Sequence, residues 1–275
     1  MYRKVWNKNY GGVCALNFIS SKGIRFESFT GFKYGQYLIT DDSIRKINKP
    51  YEIEIAFYKN DGITINQSVK ITDKDFKNRI LKATEEGLSG FMLVNIDFPQ
   101  FDEIPSIKLC SKPNYQIASP IAVIGHQWVQ NNIAIKTGIV SSYYKHQGIK
   151  YIQFDASIER GNSGAPLINV ESGEVIGIVG YGLARLEEDY KSLMNVINTN
   201  LELLNNSSGK LLVNDIDPIQ VLIANQNQIK HIVHELFHKV SFNTGYALNI
   251  DQVIEFIDIS ELEKDIAYAN IQKIK

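Results

Sequence analysis

This chain of 275 residues has only two cysteines, seven prolines and no charge imbalance to speak of. Two thiols, Cys14 and Cys110, cannot staple a small secreted scaffold. They admit at most one disulfide, and their apolar surroundings favour two buried thiols in a reducing compartment. Lys plus Arg number 29 against 30 Asp plus Glu. With no basic run, the composition offers no electrostatic footprint for nucleic acid or an anionic membrane. No apolar stretch approaches the ~18 residues of a membrane-spanning helix. The N-terminal Met-Tyr-Arg-Lys-Val-Trp-Asn-Lys-Asn carries no apolar leader core. These absences predict a cytoplasmic protein. Internal repeats and low-complexity segments are also missing.

What the chain does have is apolar residues, 44% of the total, enough for a sizeable core at this length. Up to residue 71 they come in short strand-like runs. Residues 13–19, 24–26, 28–32, 37–40 and 52–57 are apolar or alternate, and Asn60-Asp61-Gly62 marks a tight turn before 63–65. Residues 73–86 are charged and fit a loop or short helix. Further strands are expected at 91–96, 121–125, 133–141, 151–154 and 175–179. Short strands at this spacing predict barrels or sandwiches. From 190 to 204, Leu193, Val196, Ile197, Leu201 and Leu204 recur at helical spacing. Asp217-Pro218 reads as an N-cap and first-turn proline. The helix that follows would gather Ile219, Leu222, Ile229, Ile232, Val233, Leu236 and Val240 on one face, and more helix is expected over 251–273. The shift in composition near 205 is the expected domain boundary.

One stretch carries recognisable chemistry, Asp155-Ala-Ser-Ile-Glu-Arg-Gly-Asn-Ser163-Gly-Ala-Pro-Leu167. Glycines on both sides of Ser163 allow a tight turn with inward amides, the arrangement acyl transfer needs: a hydroxyl nucleophile beside two oxyanion donors. The stretch resembles the nucleophile loop of trypsin-like serine proteases in their Deg-type form. Residues 121–125, Thr137-Gly-Ile-Val-Ser141 and 175–178 are similar to further family strands, in order and at suitable spacing.

The resemblance covers about residues 10–185. It implies a mainly β protein of two six-stranded antiparallel barrels, the first over about 10–105 and the second over about 106–185. A closing helix at about 190–204 would complete a domain of residues 1–204, with a helical C-terminal region over 205–275. By the same resemblance Gly161 and Ser163 supply oxyanion amides, and Ser157 floors the primary specificity pocket. Gly177, Ile178, Val179, Gly180 and Tyr181 would lie along the substrate groove, where a peptide could add as a strand along 175–180.

Two departures from the family pattern stand out. Tyr37-Leu-Ile-Thr-Asp-Asp-Ser43-Ile44 is similar to the family segment that ends in the catalytic histidine, and Ser43 takes that position. Gly90 takes the position of the catalytic acid before Phe91-Met-Leu-Val, while Asp97 sits at the other end of that strand. A serine without an adjacent base is a poor nucleophile. The expectation is therefore a catalytically degenerate pseudoprotease that binds a peptide or protein, as scaffold or regulatory subunit and without a cofactor. The alternative is a serine endopeptidase that uses Ser163 with another base, or with one supplied by a partner. Of the five histidines, His126 is expected on a loop that could face the groove, and His146 in a solvated turn. His234-Glu235-Leu-Phe-His238 matches a zinc-helix spacing. Its histidines are expected on the polar face of their helix, so metal binding there is a long shot.

Overall fold

The computed structural model describes residues 1–48, 51–84, 90–111, 115–146, 148–210, 212, 217–239 and 244–257. Helix α1 (Tyr2–Asn9) leads into β1 (Val13–Ile19), β2 (Arg25–Tyr34), β3 (Tyr37–Asp41), β4 (Glu52–Tyr58) and β5 (Ile65–Thr72). Helix α2 (Asp73–Asn78) is followed by β6 (Ile80–Ala83) and β7 (Phe91–Asn95). These strands form one antiparallel seven-stranded sheet in the order β5-β4-β1-β2-β3-β7-β6. The charged stretch after residue 72 thus holds a capped helical turn, with the Thr72 hydroxyl accepting from the Asp75 amide at 3.2 Å, and then an edge strand.

Strand β1 is apolar except at Asn17 because both its faces are covered. Cys14, Leu16 and Phe18 point into one cluster with Phe57, Phe76 and Phe101. Val13 and Ala15, on the alternate face, join Phe32 and Ile39 in a second cluster, which continues into the other half of the fold through Ala122, Ile124 and Ile168. Both cysteines are free and buried.

The second half comprises β8 (Pro120–Gln127), β9 (Asn132–His146), β10 (Ile149–Asp155), β11 (Pro166–Asn169) and β12 (Glu174–Val179). Helices α3 (Tyr181–Ser207) and α4 (Pro218–Lys239) follow, then β13 (Gly245–Asn249) and a helical turn at 251–257. Six of these strands close a barrel in the order β10-β13-β12-β11-β8-β9.

The last strand of that barrel corrects the expected domain limits. Strand β13 lies inside the expected helical C-terminal region, yet it pairs with β10 through Tyr151↔Leu248 and with β12 through Ile178↔Leu248. The chain divides into one compact unit of 1–181 with 242–275, and a second of 182–241. Residue 204 is no boundary; it lies inside α3. Five residues of strand flanked by helical pattern give little periodicity to read. Their place is fixed by two partners distant in sequence. The helical expectation over 258–273 falls outside the described residues.

The second unit is a helical pair. Ser208 and the Gly209 amide donate to the Asp217 carboxylate at 3.1 and 2.7 Å, closing its connection. The Lys230 ammonium donates to Asn198 at 2.8 Å, and the Tyr190 ring stacks on Phe237 with centroids 3.9 Å apart. These pairings run in opposite chain directions, so the helices are antiparallel.

Candidate active site

The turn that holds Ser163 is built by its backbone. Gly161 and Gly164 have φ of 97° and 86°, the left-handed region that side chains other than glycine resist. A Cβ on Gly164 would also strike the Thr30 carbonyl oxygen and the Thr40 hydroxyl. Asn162, only 1% exposed, locks the turn from behind. Its Nδ2 donates to the His126 carbonyl at 2.8 Å and its Oδ1 accepts from the Glu159 amide at 2.9 Å. The Ser163 carbonyl accepts from the Thr30 amide at 2.8 Å, and the Gly164 amide donates to the Val179 carbonyl at 2.7 Å. The turn is therefore tied to β2 of the first sheet and β12 of the barrel. Among the described residues the amides of Gly161 and Ser163 have no acceptor. Two free donors beside a half-exposed serine are what an oxyanion site requires.

Ser43 and Gly90 are each held by a neighbouring aspartate. The Asp41 carboxylate accepts from the Ser43 amide at 2.7 Å, and its other oxygen lies over Gly180. Burial pushes the Asp41 carboxyl up to about 7, against the opposing pull of its hydrogen bonds from Ser43. Asp42 accepts from the Gly90 amide at 3.2 Å and pairs with Arg45 at 3.4 Å; burial raises its pKa as well. A Cβ added to Gly90 would run into the Thr84 side chain. Asp97 is exposed at the far end of β7. Sequence reasoning missed these two buried acids. The signal was there: a pair of aspartates, Asp41 and Asp42, directly after the strand-like Tyr37-Leu-Ile-Thr40.

His126 lies where a loop was expected, but it is a fully buried residue of β8. Its Nδ1 shares a hydrogen bond with the Ser28 hydroxyl at 2.9 Å, its Nε2 with Asn131 Oδ1 at 3.3 Å, and its ring stacks on Tyr58. Desolvation lowers its pKa to about 4, so the ring is neutral at pH 7. The strand places its carbonyl, and not its imidazole, against the nucleophile turn. His146 ends β9, and its side chain is outside the described residues.

A second missed feature lies beside Arg160, the residue before Gly161. The guanidiniums of Arg25 and Arg160 each sit 4.5 Å from the centre of the Trp128 ring. Arg160 also pairs with Glu27 at 2.8 Å, and the Trp128 amide donates to the Arg160 carbonyl at 3.1 Å. The turn thus enters Gly161 from a stacked platform.

The expected groove is altered. Ser157 is half-exposed between buried Ala156 and Ile158, as a pocket-floor residue could be. Strand β12 has no free edge for a peptide. Leu167 pairs with Gly177 on one side, while Gly177, Ile178 and Val179 pair with Asn249, Leu248 and Ala247 on the other. The Gly180 amide donates to the Tyr246 carbonyl at 3.1 Å. Strand addition along 175–180 is excluded because the chain's own β13 occupies that edge. Tyr181 begins α3, and its side chain is outside the described residues.

In the zinc-like spacing on α4, His234 Nδ1 shares a hydrogen bond with the Tyr190 hydroxyl at 2.9 Å. His234 is exposed, as expected, and reaches across to α3 through this contact. The His238 side chain is outside the described residues. Among the described residues no three His, Cys, Asp or Glu groups converge for a metal.

A model of the trypsin-like peptidase domain matches residues 49–178, ending just before the chain leaves the barrel for α3. Serine protease HTRA1A of Danio rerio is 30% identical over 138 residues, which is 43% of this chain and 27% of that protein. Mitochondrial serine protease HTRA2 of Bos taurus is 33% identical over 85 residues, 28% of this chain and 18% of that protein. The matches thus span less than a third of the length of these relatives. Among solved structures, the HtrA-type protease AlgW with tripeptide aligns at a TM-score of 0.50 and 19% identity, over 65% of this chain and 54% of that one. At such identity this last likeness speaks for the fold alone. The nucleophile turn, the closed barrel behind it and these matches agree: residues 49–178 match a trypsin-like peptidase domain, and the chain is similar to serine proteases of the Deg/HtrA form.

Proposed function

We propose that this protein is a catalytically degenerate member of its family, a peptide- or protein-binding scaffold or regulatory subunit. The observation that carries the reading is the occupation of the two positions that would supply base and acid. Ser43 is tied through its amide to Asp41, and Gly90 to Asp42, with Thr84 filling the space a side chain at 90 would need. Loss of one triad member costs on the order of 10⁴ to 10⁶ in turnover. His126 is no substitute, because both its ring nitrogens are engaged by Ser28 and Asn131. A partner would approach the face where Ser43, Ser157 and Ser163 are half-exposed.

A second reading has its own support. The free amides of Gly161 and Ser163 favour a serine endopeptidase whose base arrives with a partner. Fluorophosphonate labelling of the wild type and Ser163→Ala, alone and in lysate, tests both. The scaffold reading expects no Ser163-dependent label under either condition. Label on the isolated wild type that vanishes in Ser163→Ala overturns it. Label that depends on Ser163 only in lysate overturns it in favour of the partner-completed enzyme.

A further inference from the structure

We propose that the helical pair of α3 and α4 is a self-association module, through which two copies of this chain join face to face as a four-helix bundle. The inference stands apart from the question of whether Ser163 reacts.

Each helix has two apolar sides. On α3, Ile197 and Leu201 are buried, while Leu193, Val196 and Leu203 are exposed. On α4, Phe237 meets Tyr190 across the pair, while Leu222, Ile229, Ile232 and Leu236 are exposed. These seven side chains are between 45% and 62% exposed. Successive helical residues turn by about 100°. On both helices the exposed stripe then falls roughly 110° from the side that meets the other helix, in the same rotational sense. For antiparallel helices that common sense brings both stripes to one side of the pair. The result is one flat apolar face, with a polar face opposite carrying Lys191, Glu202 and His231.

The occupant follows from area and charge. The seven side chains leave roughly 700 Å² per copy to bury, close to the about 800 Å² each partner contributes to a standard interface. Large apolar patches of this kind mark interaction sites. The charged Asp189 stands at the outer end of the α3 stripe, one turn before Leu193; from Leu193 to Ser207 on α3 and from Leu222 to Leu236 on α4 the polar positions are Asn200, Ser207 and Asn225. A two-fold contact sets a patch against itself, so any charge near its axis would face its own like. A stripe whose middle is neutral, with its one acid at the end, meets that condition. Interfacial membrane helices instead carry a strongly basic polar face, whereas the exposed charges on this pair are of both signs.

Sedimentation velocity of the full-length chain, up to about 100 μM, tests the proposal. The wild type is expected at twice the chain mass. Ile229→Glu with Leu236→Glu is expected to raise the dissociation constant at least about 100-fold and give single chains. Asn195→Glu with Asn227→Glu, on the opposite face, is expected to leave the dimer intact. Circular dichroism of each variant guards against loss of the helices. If the double variant fails to fold, Leu193→Glu serves in its place, with the same expected loss of the dimer. A wild type that sediments as single chains at that concentration overturns the proposal and leaves the face to another occupant. A dimer that survives the substitutions in the stripe overturns it equally.

Discussion

Two buried groups with opposite pH responses lie close to the nucleophile turn, and their opposition can be measured. His126 is neutral in the folded protein down to about 4, against an ordinary value of 6.5. Between those values the unfolded chain binds a proton that the folded chain does not. Its contribution is therefore complete above pH 6.5 and is lost as pH falls towards 4. Asp41 behaves in reverse. Its carboxyl is raised from 3.8 to about 7, so the folded chain holds the extra proton, and stability is lost as pH rises from 3.8 through 7. Each slope is about 1.4 kcal/mol per pH unit. From pH 6.5 down to about 4 they have opposite signs and cancel.

The perturbation is to remove one partner of this balance. Asp41→Asn keeps the shape and the acceptor for the Ser43 amide. Relative to wild type it should lose roughly 3 kcal/mol between pH ~6.5 and ~4.5, the uncovered slope of His126. His126→Gln should gain a similar amount over the same interval. Urea unfolding followed by fluorescence of Trp6 and Trp128 at several pH values gives the difference directly. Asp42, also raised by burial, titrates in all three proteins and drops out of the comparison. If wild type and Asp41→Asn give parallel stability profiles, the burial argument for Asp41 is wrong.

Two further outcomes follow from the site and its support. Asn162→Ala leaves the His126 carbonyl and the Glu159 amide without their buried partner and should cost roughly 2–4 kcal/mol, read from the urea midpoint. A chain ending at residue 204 lacks β13, which closes the barrel between β10 and β12. It should show no cooperative thermal transition, and a sharp transition at the full-length temperature would refute the assigned closure.

Much of the second barrel was legible in the sequence, because the nucleophile turn and its flanking strands are local patterns. Gly161, Asn162, Ser163 and Gly164 are specified by turn chemistry within a few residues. The same holds for β1, β3, β4 and β7, whose apolar runs need no distant partner to be recognised. The side chains around the site were less legible. His126 looked like a groove-facing loop residue because burial of a histidine depends on Ser28, Asn131 and Tyr58, far away in the chain. Asp41 and Asp42 drew no reading from the sequence, because Gly180 and Gly90, which cover them, are far away in the chain.

By itself, then, the sequence determined most of the strand pattern and the Ser163 turn, and it raised the expectation that Ser43 and Gly90 stand where an activating pair would. Only the tertiary structure decided that β13 seals the edge of β12, that both aspartates lie beneath the site, and that the apolar stripes of α3 and α4 share one side. The physical reason is common to all three. Strand edges, burial and helix faces are set by contacts between residues far apart in the chain, and no local pattern encodes them.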